Sequence, residues 1–333
     1  MGRAAVIAGL GAWLPPDVVT NADLAAVLDT DDEWIRTRTG IRQRHVVAPG
    51  EATGDLAVEA GARALKSAGR EHADAVVVAT STPDRLCPAT APDVASRLGL
   101  RGVAAFDVGA VCTGFVYALA TGAGLIAADA AESVLVIGAD AFSTILDPRD
   151  RTTRAVFGDG AGAVLLRAGG REEPGVLRGV TLGSDGSRSE LIEIPGGGSR
   201  QRSTGRRVTQ EDLYFTMQGR AVFSEAVQRM AASARESAER IGWPLRSVDR
   251  FVPHQANARI IAALAERLGV PTGAFASNID RVGNTVAASI PLALADDVAS
   301  GRIRAGDRVL MTGFGGGLTW GSVALTWPEL TAA

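Results

Sequence analysis

Short apolar segments without polar alternation recur along the chain, and helix-like segments separate them. Each apolar run ends in turn-forming residues such as glycine, proline or aspartate. Strands that are buried on both faces have this pattern, because helices then cover both sides of a largely parallel sheet. We therefore predict an α/β protein with strands in AAVIAGLGAW, ADAVVVATST, GVAAFDVGA, ESVLVIGAD, RFVPH, RVLMTGFG and GSVALTW.

The order of these segments repeats once, at an offset of about 170 residues. Each copy contains a helix, a strand, a segment of the type ASRLGL or AERLGV, a polar candidate residue and a further strand. Five segments in the same order favour two copies of one βαβ-type unit over chance similarity. The repeat predicts two similar halves, 1–172 and 173–333. Cys112 and Asn284 then occupy near-equivalent positions and face one another across a pseudo-twofold axis.

Composition and charge narrow the class of function. Hydrophobic residues make up 46% of the chain and charged residues 21%, which is typical of globular proteins. The 34 basic and 37 acidic residues give a net charge of -3, which argues against nucleic acid or a lipid surface as the main partner. The chain has no apolar run of membrane-spanning length and no export-signal pattern, so we predict a cytoplasmic protein.

Cys112 is the strongest candidate nucleophile. It follows the apolar segment AAFDVGA and precedes TGFVYALATGAGLIAA, which is apolar nearly all round and predicts a buried helix. The dipole and free N–H groups of a helix N-terminus stabilise a thiolate, which is the reactive form. A lone cysteine in an apolar stretch is also typical of an inert core residue. Cys87 lies in a proline-rich loop without a helix signal, and no ligand spacing accompanies either cysteine, so we predict no metal site.

A cysteine nucleophile needs partners that handle protons or stabilise charge. His254 follows the predicted strand RFVP, and strand ends are where sites form in α/β sheets. The amide of Asn284 can donate to an oxyanion without titrating. The pattern alone leaves a core histidine and a helix N-cap as alternatives for these two residues. Pro291 predicts an irregular turn after Asn284, with the regular helix starting near Pro291.

Four further segments carry local predictions. Thr30 and Glu33 have the spacing of a capping box, which predicts a short helix that carries Trp34. The loop 195–208, rich in glycine and arginine, is predicted to be solvated and mobile. The clusters GDGAGA and FGGGLTWG lack the spacing of nucleotide-binding loops. Gly316, in the second cluster, is expected to let the backbone approach a substrate with its amide directed into the site.

Taken together, the motifs resemble those of the β-ketoacyl-acyl-carrier-protein synthase III family, the condensing enzymes that start fatty acid or polyketide chains. The resemblance covers essentially the whole chain. It implies a thiolase-like fold with two pseudo-symmetric halves in a layered α-β-α-β-α arrangement, and a homodimer. The motifs that carry it are DEWIRTRTGIRQRH, FDVGAVCTGF, DRTTRAVFGDGAGAV, VPHQANARI, GNTVAASIP and FGGGLTWG.

The resemblance also implies a role for each matched residue. The catalytic triad of the family corresponds to Cys112, His254 and Asn284, and the oxyanion hole to the backbone amides of Cys112 and Gly316. Acyl-CoA and malonyl-acyl carrier protein are then substrates, and no cofactor is implied. Matched binding positions are Trp34, Arg151, Gly219 and Asn257 for CoA and its pantetheine arm, Arg259 for the carrier protein, and Cys87, Phe142, Phe157 and Met217 for the acyl pocket.

The implied reaction is a decarboxylative Claisen condensation that passes through acyl-Cys112 and yields a 3-oxoacyl-carrier protein. Cys87 corresponds to a loop position that in this family often reaches across the dimer to the floor of the acyl pocket. One alternative is an acyltransferase that moves the acyl group to a hydroxyl or amine of a secondary metabolite. Another is a non-catalytic partner subunit, which the presence of Cys112 disfavours. A thiolase would need a second cysteine in 173–333, where the sequence has none.

Overall fold

The strands of the computed structural model, which describes residues 3–332, follow the apolar segments of the sequence. Every predicted strand segment contains one. In chain order the strands are β1 Ala4–Trp13, β2 Asp17–Thr20, β3 Gln43–Val46, β4 Ala75–Ala79, β5 Ala104–Val108, β6 Ser133–Asp140, β7 Gly160–Gly169, β8 Arg178–Ser184, β9 Ile192–Glu193, β10 Thr216–Met217, β11 Arg250–Pro253, β12 Arg308–Gly315 and β13 Thr319–Thr326.

Helices cover both faces of the two main sheets. In chain order they are α1 Asn21–Ala25, α2 Asp32–Thr39, α3 Thr53–Ser67, α4 Ala91–Arg97, α5 Gly114–Ala127, α6 Arg151–Arg154, α7 Ser199–Ser203, α8 Gly219–Arg240, α9 Ala258–Leu268, α10 Ile279–Val282 and α11 Ser289–Ala299. The helices α3 and α4 pack on the outer face of the first sheet, and α8 and α9 on that of the second. The apolar α5 and α11 lie between the sheets. This confirms the predicted layered α-β-α-β-α fold.

The two main sheets have the same strand order. The first is five-stranded, β1-β7-β6-β4-β5, and the second is four-stranded, β8-β13-β12-β11. A parallel bridge between Phe251 and Phe275 stands where a fifth strand of the second sheet would lie. The predicted division into halves at 172/173 falls between β7 and β8 and stays a prediction.

The expectation of largely parallel sheets is wrong. Only β4 with β5, β4 with β6, and β11 with β12 pair in parallel within the main sheets, while the other neighbours are antiparallel. The reason is that β7 and β13 each return beside the preceding strand of their sheet, β6 and β12. The sequence pattern gives no strand for β7, because its first residues are the glycine cluster. A Cβ on Gly162 would lie 2.6 Å from Cβ of Pro291, so α11 packs directly on the backbone of β7.

The two buried helices begin in the same unusual way. A 3₁₀ turn, Val111–Thr113, precedes α5, and a second, Val286–Ala288, precedes α11. Val111 (φ 46°) and Val286 (φ 51°) both have left-handed backbone, which is strained for a β-branched residue and concentrates at functional sites. The equivalent positions are therefore these two valines, and Asn284 precedes the counterpart of Cys112. The predicted equivalence of Cys112 with Asn284 is wrong by a few residues.

One local prediction also needs correction. The helix that carries Trp34 exists as α2, but its N-cap is Asp31, whose carboxylate accepts from the Trp34 N–H at 2.6 Å. Asp31 replaces the predicted cap Thr30 because its carboxylate lies one residue closer to the helix and reaches the free N–H groups of the first turn. The loop 195–208 contains the short helix α7, and its Arg206 forms an ion pair with Asp212 at 2.9 Å.

Candidate active site

Cys112 lies in the first of the two strained turns, just before α5, and its residue is 8% exposed. Its side chain belongs to an apolar cluster that includes Val286 of the second turn. The end of β12 closes on its backbone from the other side: a Cβ on Gly315 would lie 2.7 Å from the Cys112 backbone N. The next residue, Gly316, borders Ile192, and its expected approach to a substrate stays a prediction.

The electrostatic surroundings of Cys112 differ from the expectation of a resting thiolate. Burial raises the pKa of the Cys112 thiol above its usual range, and the Asp140 carboxylate raises it further. Asp140 is itself fully buried at the end of β6, and burial raises the pKa of its carboxyl to about 7. Cys112 is therefore a protonated thiol at neutral pH, and it must lose its proton as it attacks. The pattern around Cys112 indicated a buried helix but not the nearby carboxylate of Asp140.

Asp140 links the second strained turn to the segment that follows β4. Its carboxylate accepts the Ala287 N–H of the second turn at 2.9 Å and the Ser81 N–H at 2.7 Å. Sequence analysis missed this residue, because nothing in the segment ESVLVIGAD distinguishes a structural aspartate from a turn-forming one. The hydrogen bond to Ala287 holds the second turn in place beside Cys112.

His254 comes directly after β11, as predicted from its position behind RFVP. Its backbone N–H donates to the carbonyl of Thr312 at 2.8 Å, and its side chain is almost completely buried. Burial lowers the pKa of His254 to about 3, so the imidazole is neutral over the physiological range. The ring Nδ1 lies 2.6 Å from Oγ of Ser289, the first residue of α11.

Asn284 is fixed by two backbone hydrogen bonds to one neighbouring segment, residues 156–158. Its N–H donates to the Val156 carbonyl at 2.9 Å, and its own carbonyl accepts from the Gly158 N–H at 3.0 Å. The side-chain Oδ1 accepts the Val286 N–H at 2.9 Å. This bond holds the Asn284 side chain against the second turn, although the N-cap residue of that turn is Thr285. The same bond leaves the amide NH₂ of Asn284 as the group available to a substrate.

The second turn brings the three predicted residues together. Cys112 packs in the cluster that contains Val286, Asn284 bonds to the N–H of Val286, and His254 bonds to Ser289 directly after the turn. A nucleophile, a neutral imidazole and a carboxamide therefore surround one short segment. This arrangement can hold a thioester carbonyl near a sulfur nucleophile.

A cavity of about 560 Å³ leads from Asn284 to the surface. It is lined by Met217, Gly219, Asn257 and Arg259, each of which the resemblance assigned to binding. The Asn257 carboxamide donates to the Arg38 carbonyl at 2.9 Å and its Oδ1 caps α9. The structure thus gathers the predicted pantetheine and carrier-protein positions around one opening.

Trp34 and Arg151 lie next to each other, as the resemblance implies. The Arg151 guanidinium carbon is 5.1 Å from the Trp34 ring centre, and that of Arg38 is 4.7 Å away. Arg151 also bonds to Asp29. Sequence analysis missed Arg38, although its position four residues after Trp34 on α2 was a usable signal.

The apolar cluster around Cys112 contains two of the predicted acyl-pocket residues as buried members. Phe142 and Phe157 have ring centres 4.6 Å apart, and Phe215 completes a group of three rings, 4.9 and 5.1 Å from them. Met217 borders the same cluster. Phe215 was missed, because it lies outside the repeat and between loop residues. Cys87, the remaining predicted acyl-pocket residue, is exposed and does not belong to the cluster of its own chain.

Among residues 3–332, no group of three or more His, Cys, Asp and Glu side chains is placed to hold a metal ion. Over the same range, no helix has the length and apolar character needed to cross a membrane.

A cysteine, a histidine and an asparagine around two strained turns, inside a five-layered α/β fold, define a condensing enzyme of the thiolase fold. Family models for 3-oxoacyl-[acyl-carrier-protein] synthase III match residues 106–186 and, for its C-terminal part, 238–327. The chain is 58% identical over 332 residues to β-ketoacyl-[acyl-carrier-protein] synthase III 5 of Streptomyces coelicolor, with 100% of both chains covered.

Solved structures agree with this assignment. The crystal structure of 3-oxoacyl-(acyl carrier protein) synthase III from Pseudomonas aeruginosa PAO1 is similar with a TM-score of 0.93 and 53% identity, covering 99% of this chain and 100% of that one. The priming β-ketosynthase of the R1128 polyketide pathway is similar with a TM-score of 0.92 and 34% identity, covering 98% and 97%. The chain belongs to the β-ketoacyl-[acyl-carrier-protein] synthase III family. The predicted family, thiolase-like fold and acyltransferase class are thereby confirmed.

Proposed function

We propose that this enzyme condenses an acyl-CoA primer with malonyl-acyl carrier protein through acyl-Cys112, in the cytoplasm, to start fatty acid or polyketide chains. The observation that carries the proposal is the second turn, Val286–Ala288, around which Cys112, His254 and Asn284 meet, and Asn284 also lines the cavity. The reaction uses no cofactor, because both half-reactions need only a nucleophile and hydrogen-bond donors.

In the first half-reaction, Sγ of Cys112 attacks the thioester carbonyl of acyl-CoA. The new C–S bond forms as the bond to the CoA sulfur breaks, and the proton of the Cys112 thiol ends on the departing CoA. Backbone amides of Cys112 and Gly316 receive the negative charge that develops on the carbonyl oxygen. Because the resting thiol is protonated, the rate of acylation rises with pH.

In the second half-reaction, malonyl-carrier protein takes the place of CoA in the cavity. Its carboxylate leaves as carbon dioxide, and the electron pair remains as an enolate whose oxygen accepts from His254 and Asn284. The enolate carbon attacks acyl-Cys112, and the sulfur leaves as a thiolate that takes a proton from water. The raised pKa of this thiol favours that protonation and resets the enzyme.

The mouth of the cavity is positively charged, which favours acidic substrates. Arg38, Arg220 and Arg259 line it and are exposed. Their charge suits both the phosphates of CoA and an acidic carrier protein. We assign Trp34 and Arg151 to the adenine and Asn257 and Gly219 to the pantetheine arm. An adenine held between Trp34 and Arg151 displaces Arg151 from its present contacts with the ring.

The proposed assembly is a homodimer. The strand β5 lies at the edge of the first sheet, where its unpaired side is available to a second copy. The loop before α4 exposes Cys87 and the apolar Leu86, which is 77% exposed. In the dimer this loop packs against the acyl pocket of the partner, and Cys87 then lines that pocket. A molar mass of twice the chain by light scattering supports the proposal, and that of a single chain contradicts it.

The function is tested with purified protein and a panel of acyl-CoA primers. We expect one acyl group per chain by intact mass, followed by carbon dioxide release and a 3-oxoacyl product when malonyl-carrier protein is added. Acylation without decarboxylation, and transfer to an added alcohol or amine, would instead establish the acyltransferase alternative. Absence of both would leave a non-catalytic subunit.

The close approach of β12 to the nucleophile gives a first prediction. In Gly315→Ala, the new Cβ meets the backbone of the Cys112 turn at 2.7 Å, so one of the two must move. We expect Cys112 acylation to fall about 100-fold, since displacement of about 1 Å has that effect, and stability to fall by about 1–3 kcal/mol. Rapid-quench mass spectrometry and thermal unfolding measure the two effects.

The matched control is Gly124→Ala in α5, the helix that follows Cys112. A Cβ on this exposed glycine meets no atom within 4 Å. It should keep full acylation and gain about 0.5–1 kcal/mol of stability from helix propensity. Wild-type acylation by Gly315→Ala would show that β12 does not position the nucleophile.

The three-ring cluster gives a second prediction about primer length. Phe215→Leu removes ring volume beside Phe142 and Phe157, so longer primers fit. We expect the acylation rate for longer over short acyl-CoA to rise about tenfold. Phe275→Leu is the control: this buried ring stacks on Phe251, outside the cluster, and should not change the preference. An equal shift in both variants would place the acyl chain elsewhere.

A further inference from the structure

We propose that Ser289 is a positioning residue that holds the proton of the neutral His254 ring on Nε2 and thereby makes His254 a hydrogen-bond donor. The catalytic meaning of this inference rests on the proposed function. The placement of the proton is a property of the resting enzyme and can be measured without substrate. The contacts that carry the inference all lie in the first turn of α11 and the end of β11.

The hydroxyl of Ser289 lies within hydrogen-bonding distance of two groups. Its Oγ lies 2.6 Å from Nδ1 of His254, and it accepts the backbone N–H of Gln255 at 3.3 Å. Both side chains are buried, so water is not at hand to complete their hydrogen bonds. Each neutral imidazole has one N–H donor and one acceptor nitrogen. The direction of the short bond therefore decides which nitrogen carries the proton.

The hydroxyl needs an acceptor, and this requirement fixes the direction. Among the contacts of the described residues, Nδ1 of His254 is the acceptor within reach of the Ser289 O–H, because the Gln255 N–H is a donor. The opposite direction would bury a hydroxyl proton without a partner, which is unfavourable. Ser289 therefore donates to Nδ1, and the ring proton lies on Nε2.

The same argument applies to Asn284, the second proposed donor to the enolate oxygen. Oδ1 of Asn284 accepts the Val286 N–H, so its acceptor atom is also occupied by the segment that connects Asn284 to Ser289. Both side chains thus turn their acceptors to the protein and keep donors for a ligand. Such a pair suits an enolate oxygen, which accepts hydrogen bonds as negative charge develops on it.

A consequence separates the two half-reactions. With a proton on Nε2 and Ser289 on Nδ1, His254 has no free lone pair with which to take the thiol proton of Cys112. His254 is then a donor in decarboxylation and not a base in acylation. Removal of the Ser289 hydroxyl lets the ring adopt both tautomers, so it impairs decarboxylation more than acylation.

The direct test uses nitrogen-15 NMR of enzyme labelled in the histidine rings. The chain has three histidines, so each ring is resolved, and His254 is assigned by the signal lost in His254→Asn. We expect a protonated Nε2 and an unprotonated Nδ1 for His254 in the wild type at neutral pH. In Ser289→Ala we expect averaging between the two tautomers, and in Ser289→Thr, which keeps a hydroxyl, a return toward the wild-type pattern.

The kinetic test uses the same variants. Carbon dioxide release from malonyl-carrier protein should fall about tenfold in Ser289→Ala while Cys112 acylation stays within about twofold, and Ser289→Thr should recover part of the loss. A proton on Nδ1 in the wild type overturns the inference even if a variant does not fold. Equal loss of both half-reactions in a folded Ser289→Ala also overturns it. If the wild type does not decarboxylate malonyl-carrier protein, the proposed function is wrong. The NMR result still determines which ring nitrogen of His254 carries the proton.

Discussion

Replacement of Cys112 by alanine eliminates the acyl-enzyme and lowers condensation by at least about 10⁴-fold, as expected when a covalent nucleophile is removed. No other thiol can substitute, since Cys87 lies exposed and outside the cluster around the site. The small volume change inside the apolar cluster leaves the fold intact. Intact mass after incubation with acyl-CoA and the rate of 3-oxoacyl product formation measure the two losses.

The matched control for this variant is Cys87→Ala. It removes the second cysteine of the chain and should keep a full acyl adduct on Cys112, whereas its rate can vary with the primer because Cys87 is assigned to the acyl pocket. Covalent acylation in Cys112→Ala, or its loss in Cys87→Ala, would show that the nucleophile has been misassigned.

Replacement of His254 by alanine lowers decarboxylation by about 10²–10³-fold, the effect of one lost oxyanion donor, while Cys112 is still acylated. The neutral state of the ring means that this contribution does not depend on a His254 proton uptake between pH 5 and 8, since burial lowers its pKa to about 3. Carbon dioxide release and acyl-enzyme formation, followed separately in the variant, give the split.

Asn284→Ala provides the comparison, because both donors serve one enolate oxygen. The double variant should lose less than the product of the two single effects, since each donor matters most when its partner is present. The buried hydroxyl of Ser289 loses its partner in His254→Ala, at a cost of about 1–3 kcal/mol of stability. A folded His254→Ala that decarboxylates normally would contradict the assigned division of labour.

The internal repeat explains how much of the architecture was accessible from sequence. Two copies of the same segment order predicted two similar halves, because buried strands and apolar helices leave strong patterns, and the family resemblance added the layered arrangement. The register of the repeat was wrong near the site, since the similar helices ending near Leu98 and Leu268 are followed by connections of unequal length. The left-handed backbone of Val111 and Val286 identifies the equivalent positions of the two halves. Valine rarely adopts this conformation, so the sequence does not predict it.

The chemistry of the site was only half visible in the sequence. Position at strand ends and helix starts indicated Cys112, His254 and Asn284 as candidates, and the family resemblance chose the functional interpretation. The raised pKa of Cys112 depends on burial and on Asp140, which the chain brings from another strand. Hydrogen-bond partners such as Ser289 depend on contacts distant in sequence and therefore leave no local signal.

The central claim is that one sulfur carries the acyl group and passes it to the carbon freed by decarboxylation beside His254 and Asn284. A single-turnover experiment tests it most directly: enzyme acylated with a radiolabelled primer is separated from free acyl-CoA and mixed with malonyl-carrier protein. The account predicts that the label leaves the Cys112 peptide and enters 3-oxoacyl-carrier protein in equal amount with the carbon dioxide released. A label that stays on Cys112 while carbon dioxide is released, or that is found on another residue, would contradict it.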